Sequence, residues 1–309
     1  MRSLKYIEKK FIDQIILMEG QHSMQYERDL IEKGYAIIPG YSSGEEVKAA
    51  KEMFFRWQNT IPDHDWIHNA IDPHGIYKHH SAGQQEHAWY IRTRPSVQDV
   101  FKHLWKTDDL IVSFDGSCYI SKDCAKKDNI WTHTDQCANK HDLECYQGFV
   151  ALTSNKERTL IVYEGSHMLH EKYFKDRGIT GTKNWHLIEH EYLAEIQDQK
   201  RILEVPAGAL VLWDSRTFHQ NRWGAPKSEE RIVQYVCYLP KNHKKNTKAQ
   251  QKKREKYFQE GRTTSHWPCP VNVNSLQSQT YGNPRRVIDY KKLEKPNLDG
   301  LMEDIRRIL

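Results

Sequence analysis

The pair His133-x-Asp135, followed far downstream by His219, constrains this chain more than any other feature. Residues two apart on a β-strand point to the same side, so an extended 133–135 segment lets both side chains reach one point. His219 must then arrive from a strand distant in sequence, which suits a rolled-up β architecture. Two imidazoles and one carboxylate can occupy one face of a ferrous ion and leave three positions open, the facial arrangement of non-haem iron oxygenases. Arg231, beyond His219, adds a planar cation able to hold a carboxylate bidentately. Iron with a dicarboxylate co-substrate is the first reading.

An HxD pair alone is a weak signal in a chain with 17 histidines. The flanking text strengthens it. His133-Thr134-Asp135 sits in Ile130-Trp131-Thr132-His133-Thr134-Asp135-Gln136, and His219 follows a run from Pro206 through Leu210-Val211-Leu212-Trp213-Asp214 to Phe218. Arg231 opens the strand-like run Ile232-Val233-Gln234-Tyr235-Val236-Cys237-Tyr238-Leu239, which ends at Pro240. These blocks resemble the phytanoyl-CoA dioxygenase-like family of iron- and 2-oxoglutarate-dependent oxygenases. So do Lys33-Gly34-Tyr35-Ala36-Ile37-Ile38-Pro39-Gly40 and the stretch from Gln147-Gly148 to Glu164-Gly165-Ser166-His167. The chain departs at Glu164, where family members commonly carry Pro, a turn position and not a ligand.

The resemblance implies Fe(II), 2-oxoglutarate as co-substrate, O2 as oxidant and ascorbate as accompanying reductant. It places the keto-acid end of 2-oxoglutarate on the iron and its distal carboxylate on Arg231. Decarboxylation to succinate and CO2 is then coupled to hydroxylation of a C–H bond. Halogenating relatives lack the carboxylate at the position of Asp135, so its presence points to hydroxylation or a related oxidation. For Arg231 the bland alternative is a surface ion pair with Glu229 or Glu230.

Further residues follow from their neighbourhood. Gln147, Tyr119 and Thr159 are read as donors to the co-substrate from neighbouring strands, and a purely structural partner explains each as well. His79 and Arg92, with Arg94, are placed at the substrate opening. Trp131 and Trp223, with Trp213, flank the ligands and are read as lining the cavity. Ser166 and His167 shape a turn. His64 and His68 have helical metal-site spacing, and His74, His79, His80 and His87 crowd one segment, but neither group has a strand framework or a distal ligand.

At 309 residues, 38% hydrophobic and 28% charged, the chain reads as a single oxygenase domain with long polar loops. Residues 1–110 form an N-terminal helical and strand layer. Residues 111–240 form the core with an insert at 168–200 lying over its mouth, and 241–309 form a basic helix and tail packed on the core. The fold class expected is mainly β with flanking helices (α+β), around a double-stranded β-helix, the jelly-roll or cupin-like core. Strands are expected at Lys33–Pro39, Val112–Ile120, Gly148–Thr153, Thr159–Tyr163, Ala209–Trp213 and Ile232–Leu239. Helices are expected over 1–33, with Ile12, Ile15 and Ile16 on one face, and over Val97–Leu104. A third starts at the capping box of Ser42 and Ser43 with Glu45 and Glu46 and stops before Pro62. Residues 62–90 read as loop.

No stretch approaches the roughly 20 apolar residues of a membrane span. The run Phe11–Met18 is too short and polar for a signal-peptide core, so a soluble, intracellular (cytoplasmic) protein with reduced cysteines is expected. Lys241–Lys256 is rich in lysine, yet the net charge of +5 is small for the length. A solvated helix beside the barrel is favoured over a nucleic-acid or membrane contact. The leading function is a small-molecule hydroxylase. The alternatives are an oxygenase acting on a protein side chain or nucleobase, docked through the basic segment, and a catalytically silent metal-binding jelly roll.

Overall fold

The computed structural model of the chain describes residues 25–309. Most of the helix expected over 1–33 lies outside the described residues, and residues 25–33 are helical. The strands are β1 (Tyr35–Ile38), β2 (Leu110–Val112), β3 (Ser117–Ile120), β4 (His133–Thr134), β5 (Tyr146–Ala151), β6 (Leu160–Tyr163), β7 (His186–Leu187), β8 (Lys200–Ile202), β9 (Leu210–Asp214), β10 (His219–Asn221), β11 (Arg231–Val236) and β12 (Tyr238–Pro240). One five-stranded sheet runs β1-β9-β5-β11-β3 and a second runs β7-β4-β10-β6-β8, while β12 and β2 form a separate ribbon. Every pairing is antiparallel. From β3 to β11 the chain crosses from one sheet to the other at each core strand except between β6 and β8, which pair within the second sheet. That winding is a double-stranded β-helix, the jelly roll expected from the sequence.

Alternation along the strands assigns the faces. Cys118, Ile120, Phe149, Ala151, Val211, Trp213 and Val233 of the first sheet meet Leu160 and Val162 of the second inside the barrel. Their neighbours Tyr119, Val150, Leu152, Leu210, Leu212 and Ile232 face outward. They share a core with Ala50, Phe54 and Trp57 of the helix Gly44–Gln58, and with Trp89 and Phe101 of the helices Glu86–Arg92 and Pro95–Trp105. A one-residue register slip would exchange the two faces. The helix Gly44–Gln58 carries the expected cap. Ser43 Oγ accepts from the Glu46 amide, and the Glu46 carboxylate accepts from the Ser43 amide.

Several expectations need correcting. Residues 62–90 hold two helices, His64–Ile71 and Glu86–Arg92. Each is too short to show periodicity, and His74, His80 and Ser81 between them adopt left-handed φ. The expected strand Val112–Ile120 divides into β2 and β3. At the break a Cβ on Gly116 would lie 1.8 Å from the Tyr77 carbonyl oxygen, an approach only glycine permits. Ile232–Leu239 likewise divides, β12 leaving to pair with β2. The 168–200 insert packs mainly on the outer face of the second sheet, where Tyr173, Phe174, Ile188 and Leu193 cover Ile161 and Tyr163.

The basic segment contains the helix Lys248–Gln259, with Lys248, Lys252, Lys253 and Lys256 exposed. Its buried Arg254 donates to the carbonyls of Pro268, Val112 and Leu309, which ties the helix to the core. Among the described residues no helix is long and apolar enough to cross a membrane. All six cysteines are buried and unpaired.

The layer between helices and barrel predicts a pH response. His87 is buried with its Nε2 against Ser117 Oγ at 2.9 Å, and burial pushes its pKa down to about 3. The unfolded chain binds a proton near the ordinary value of 6.5, so this histidine's contribution is complete above that pH and is lost as pH falls toward about 3. At about pH 5 the loss from His87 alone is roughly 2 kcal/mol. Urea midpoints at neutral pH and at about pH 5 measure it. His87→Phe is expected to shrink the difference between them, and an unchanged difference refutes the assignment.

Candidate metal centre

In the second sheet His133 is the register partner of His219, so the two imidazoles leave adjacent strands on one face, their ring centroids 4.4 Å apart. Asp135 follows β4 directly, anchored by its amide on the Ser215 carbonyl at 3.2 Å. Its Oδ2 lies 3.6 Å from His133 Nε2 and 3.3 Å from His219 Nε2. Among the described residues this is the one group of three or more His, Cys, Asp or Glu side chains whose ligand atoms all lie within 4.8 Å of one another.

The carbonyls behind the rings decide which nitrogens face inward. His133 Nδ1 lies 3.2 Å from the Trp131 carbonyl and His219 Nδ1 lies 2.9 Å from that of Thr217. Each carbonyl calls for a proton on Nδ1, which turns the Nε2 lone pair toward Asp135. Two lone pairs aimed at one carboxylate repel unless a proton or a metal ion sits among them. Burial pushes the Asp135 carboxyl up, but the adjacent His133, His266 and His219 rings hold it well below the usual carboxylate range. Burial, aided by the nearby His133, lowers the pKa of His219 and keeps it neutral. Neutral imidazoles and an ionised carboxylate are the ligand set a ferrous ion requires.

Gln147, on β5, donates from Nε2 to Asp135 Oδ2 at 3.0 Å. It orients the carboxylate, a role different from the co-substrate contact expected of it. Gln147→Leu is expected to weaken Fe(II) binding about 10–100-fold with the fold intact, read by anaerobic metal titration. Unchanged affinity would remove Gln147 from the site. The His133 ring is flanked by Trp131 at 4.9 Å and by Trp185 at 5.7 Å, and His74 stacks on the far face of Trp131 at 3.5 Å.

Arg231 stands inside the barrel. Its Nη1 donates to Asn221 Oδ1 at 2.8 Å and touches Cys118 Sγ at 3.5 Å, and its guanidinium carbon lies 5.5 Å from the Phe149 ring centroid. Nη2 is buried without a hydrogen-bond partner. The surface-pair alternative does not hold: Glu229 accepts from Asn155 and the amides of 156 and 157, and Glu230 pairs with Lys51. A buried guanidinium with an idle donor and no carboxylate is costly until an anion joins it. Asn221 is two residues from His219 on the same strand face, roughly 7 Å along the strand, a span a five-carbon dicarboxylate can bridge. Asn221 Nδ2 in turn donates to Tyr235 Oη at 3.0 Å. Burial raises the pKa of that phenol and keeps it neutral.

The other expected residues divide. Trp131 lies against His133, and Trp223 belongs to the barrel core with Lys126 Nζ 4.6 Å from its ring centroid. Tyr119 is on the wrong face: it packs outward against Phe54, Phe55 and His68. Thr159 precedes β6 out of phase with the inward Leu160 and Val162, and its buried hydroxyl has no partner. Arg92 is structural, donating to the Gly83 carbonyl at 2.6 Å and to that of Asp115. Arg94 lies over Tyr90 and near Glu46, and His79 Nδ1 meets the Ser275 carbonyl. None of these three is brought to the metal face. His68 is held between Asp72 and the Tyr119 carbonyl. Ser166 accepts from the Phe218 amide and donates to Tyr163, the turn role expected. Asn221, Tyr235, Cys118 and Phe149 were not anticipated. Counting inward positions at period two from His219 and Arg231 finds Asn221 and Tyr235.

A double-stranded β-helix carrying a two-histidine, one-carboxylate face defines the class of site. No protein-family model matches the chain. It is similar to Ava biosynthesis cluster protein O of Aspergillus versicolor, 29% identical over 191 residues. That match covers 56% of this chain and 61% of the relative, less than two thirds of its length. Among solved structures it is similar to the non-heme alpha ketoglutarate dependent carbocyclase SnoK from nogalamycin biosynthesis (TM-score 0.49, 19% identity, 70% of this chain and 83% of that one). It is also similar to HygX from Streptomyces hygroscopicus with nickel, 2-oxoglutarate and hygromycin B bound (TM-score 0.49, 12% identity, 71% and 87%).

Proposed function

We propose that this chain is an Fe(II)- and 2-oxoglutarate-dependent dioxygenase of the phytanoyl-CoA dioxygenase-like kind. It hydroxylates a C–H bond of a small molecule and releases succinate and CO2. The observation that carries the reading is the buried, acid-free Arg231, hydrogen-bonded to Asn221, which lies two strand positions from His219. Iron with 2-oxoglutarate, when bound, supplies the activation of O2 and the oxidising power. The chain's own residues supply geometry. His133, Asp135 and His219 would hold the ferrous ion through two imidazoles and one carboxylate. Gln147 and the two backbone carbonyls hold those ligands in orientation. Arg231, steadied by Asn221, receives the distal carboxylate, and Phe149 helps keep water away from that ion pair. The small-molecule preference is supported by a relative named for a biosynthesis cluster.

The test is succinate formation from 2-oxoglutarate with Fe(II), ascorbate and O2, without added substrate, in wild type and His133→Ala. Slow turnover confined to wild type is expected. Should wild type be silent, an anaerobic titration decides, and failure of iron and 2-oxoglutarate to bind together overturns the reading.

A further inference from the structure

β7 is an edge strand of the second sheet, and it turns large apolar side chains toward the metal face. It pairs antiparallel with β4, Leu187 opposite His133 and His186 opposite Thr134. Directly paired residues share a face, so Leu187 lies on the side from which the His133 and His219 imidazoles project. His186 faces the other way, against Tyr173 and Phe174. Carried one residue further, the same register sets Trp185 opposite Asp135. The Trp185 ring lies 5.7 Å from that of His133 at an interplanar angle of 28°. The segment leading into it is held on the loop after Asp135. Asn184 Oδ1 accepts from the Cys137 amide at 3.3 Å, and Gly181 exchanges hydrogen bonds with Asn139.

The inward apolar side chains of β3, β5, β6 and β9 are buried, whereas Trp185 is 40% exposed and Leu187 43%. Single exposed apolar residues are ordinary on a protein surface, but two side by side on the ligand-bearing face of an edge strand call for an occupant. A cavity of about 300 Å³ adjoins them, lined by Ala138, Phe174, Ile179, Lys183, Trp185 and Leu187 among others. That size falls at the lower end for small-molecule sites. Lys183 Nζ lies 5.4 Å from the Trp185 ring centroid, a cation–π distance. Lys183 is exposed, and among the described residues no carboxylate pairs with it. An apolar shelf with an unneutralised ammonium beside it matches a molecule that brings both a ring and an anion.

We infer that Trp185 and Leu187 form the shelf on which the substrate packs beside the metal face, and that Lys183 receives an anionic group of that substrate. The inference rests on the iron and 2-oxoglutarate reading of the site and narrows its substrate to a ring-bearing small molecule with a negative charge. Trp185 then sets specificity through its ring and Lys183 through its charge.

The probes are 2-naphthylacetate and its neutral counterpart 2-naphthaleneethanol. Each is titrated calorimetrically and without O2 into the full chain loaded with Fe(II) and 2-oxoglutarate. Wild type is expected to bind the acid more tightly than the alcohol. Trp185→Ala should weaken both about tenfold, with Trp185→Phe restoring most of the loss. Lys183→Glu should weaken the acid about fivefold and leave the alcohol nearly unchanged, a split that a merely structural lysine does not produce. If Trp185→Ala does not hold iron, Leu187→Ser on the same shelf is read in its place. No binding of either probe to wild type at millimolar concentration, or equal affinities in wild type and the shelf variant, would overturn the inference. So would equal effects of Lys183→Glu on acid and alcohol. Sedimentation of the same proteins covers the remaining occupant of an exposed edge. A wild-type dimer that Leu187→Ser converts to monomer would give the edge to a second copy of the chain and overturn the inference. Failure of wild type to bind iron and 2-oxoglutarate together would instead overturn the parent reading.

Discussion

Alanine at His219 is expected to weaken Fe(II) binding more than about 100-fold, beyond the roughly 10–100-fold cost of losing an outer hydrogen bond to a ligand. The same holds for His133. On the proposed reading each supplies one of three protein ligands, and each presents Nε2 inward because a backbone carbonyl holds its Nδ1. Two ligands cannot define a face, so the surviving pair binds as a loose chelate. Removing one ring also leaves the buried Asp135 carboxylate without one of the groups that keep it ionised. Anaerobic Fe(II) titration measures the effect, and thermal unfolding of the metal-free proteins serves as the control for folding. Near-wild-type iron affinity in His219→Ala would remove this residue from the metal centre.

Arg231→Leu is expected to act in two opposite directions. Binding of 2-oxoglutarate to the iron-loaded protein should fall by roughly 150- to 5000-fold, the equivalent of about 3–5 kcal/mol for stripping one partner from a buried charge pair. Iron binding itself should change little, because Arg231 touches Asn221, Cys118 and Phe149 and none of the three ligands. Yet the metal-free, ligand-free variant should be as stable as wild type or more so. Its parent buries a guanidinium with an idle Nη2, and leucine removes that desolvation cost. Arg231→Lys should recover part of the affinity as a point charge without the planar fork. Isothermal titration with 2-oxoglutarate and urea unfolding give the two readings. Loss of stability together with unchanged 2-oxoglutarate affinity would make Arg231 a structural cation.

What could be read in advance follows the physics of period two. His133 and Asp135 were legible because their spacing has meaning only on a strand, and His219 and Arg231 because apolar strands adjoin them. The capping box at Ser43 was legible because it is local chemistry with a fixed offset. Tyr119 was misplaced because the first sheet is apolar on both faces, so composition does not say which alternate residues face the barrel. Arg92 was misread because a helix can consume a guanidinium in carbonyl contacts that leave no local pattern. Short helices between 62 and 90 escaped for a related reason: their ends are set by left-handed residues and tertiary burial, not by amphipathic repeats.

The most direct test of the central claim is an anaerobic titration of 2-oxoglutarate into the Fe(II)-loaded wild-type chain, followed by the visible charge-transfer absorption of an iron–2-oxo acid chelate. The band should appear and saturate as the site fills, and should be missing at the same concentrations in His219→Ala and Arg231→Leu. No band in wild type, or an undiminished one in Arg231→Leu, would contradict the assignment of this barrel as an iron and 2-oxoglutarate site anchored by Arg231.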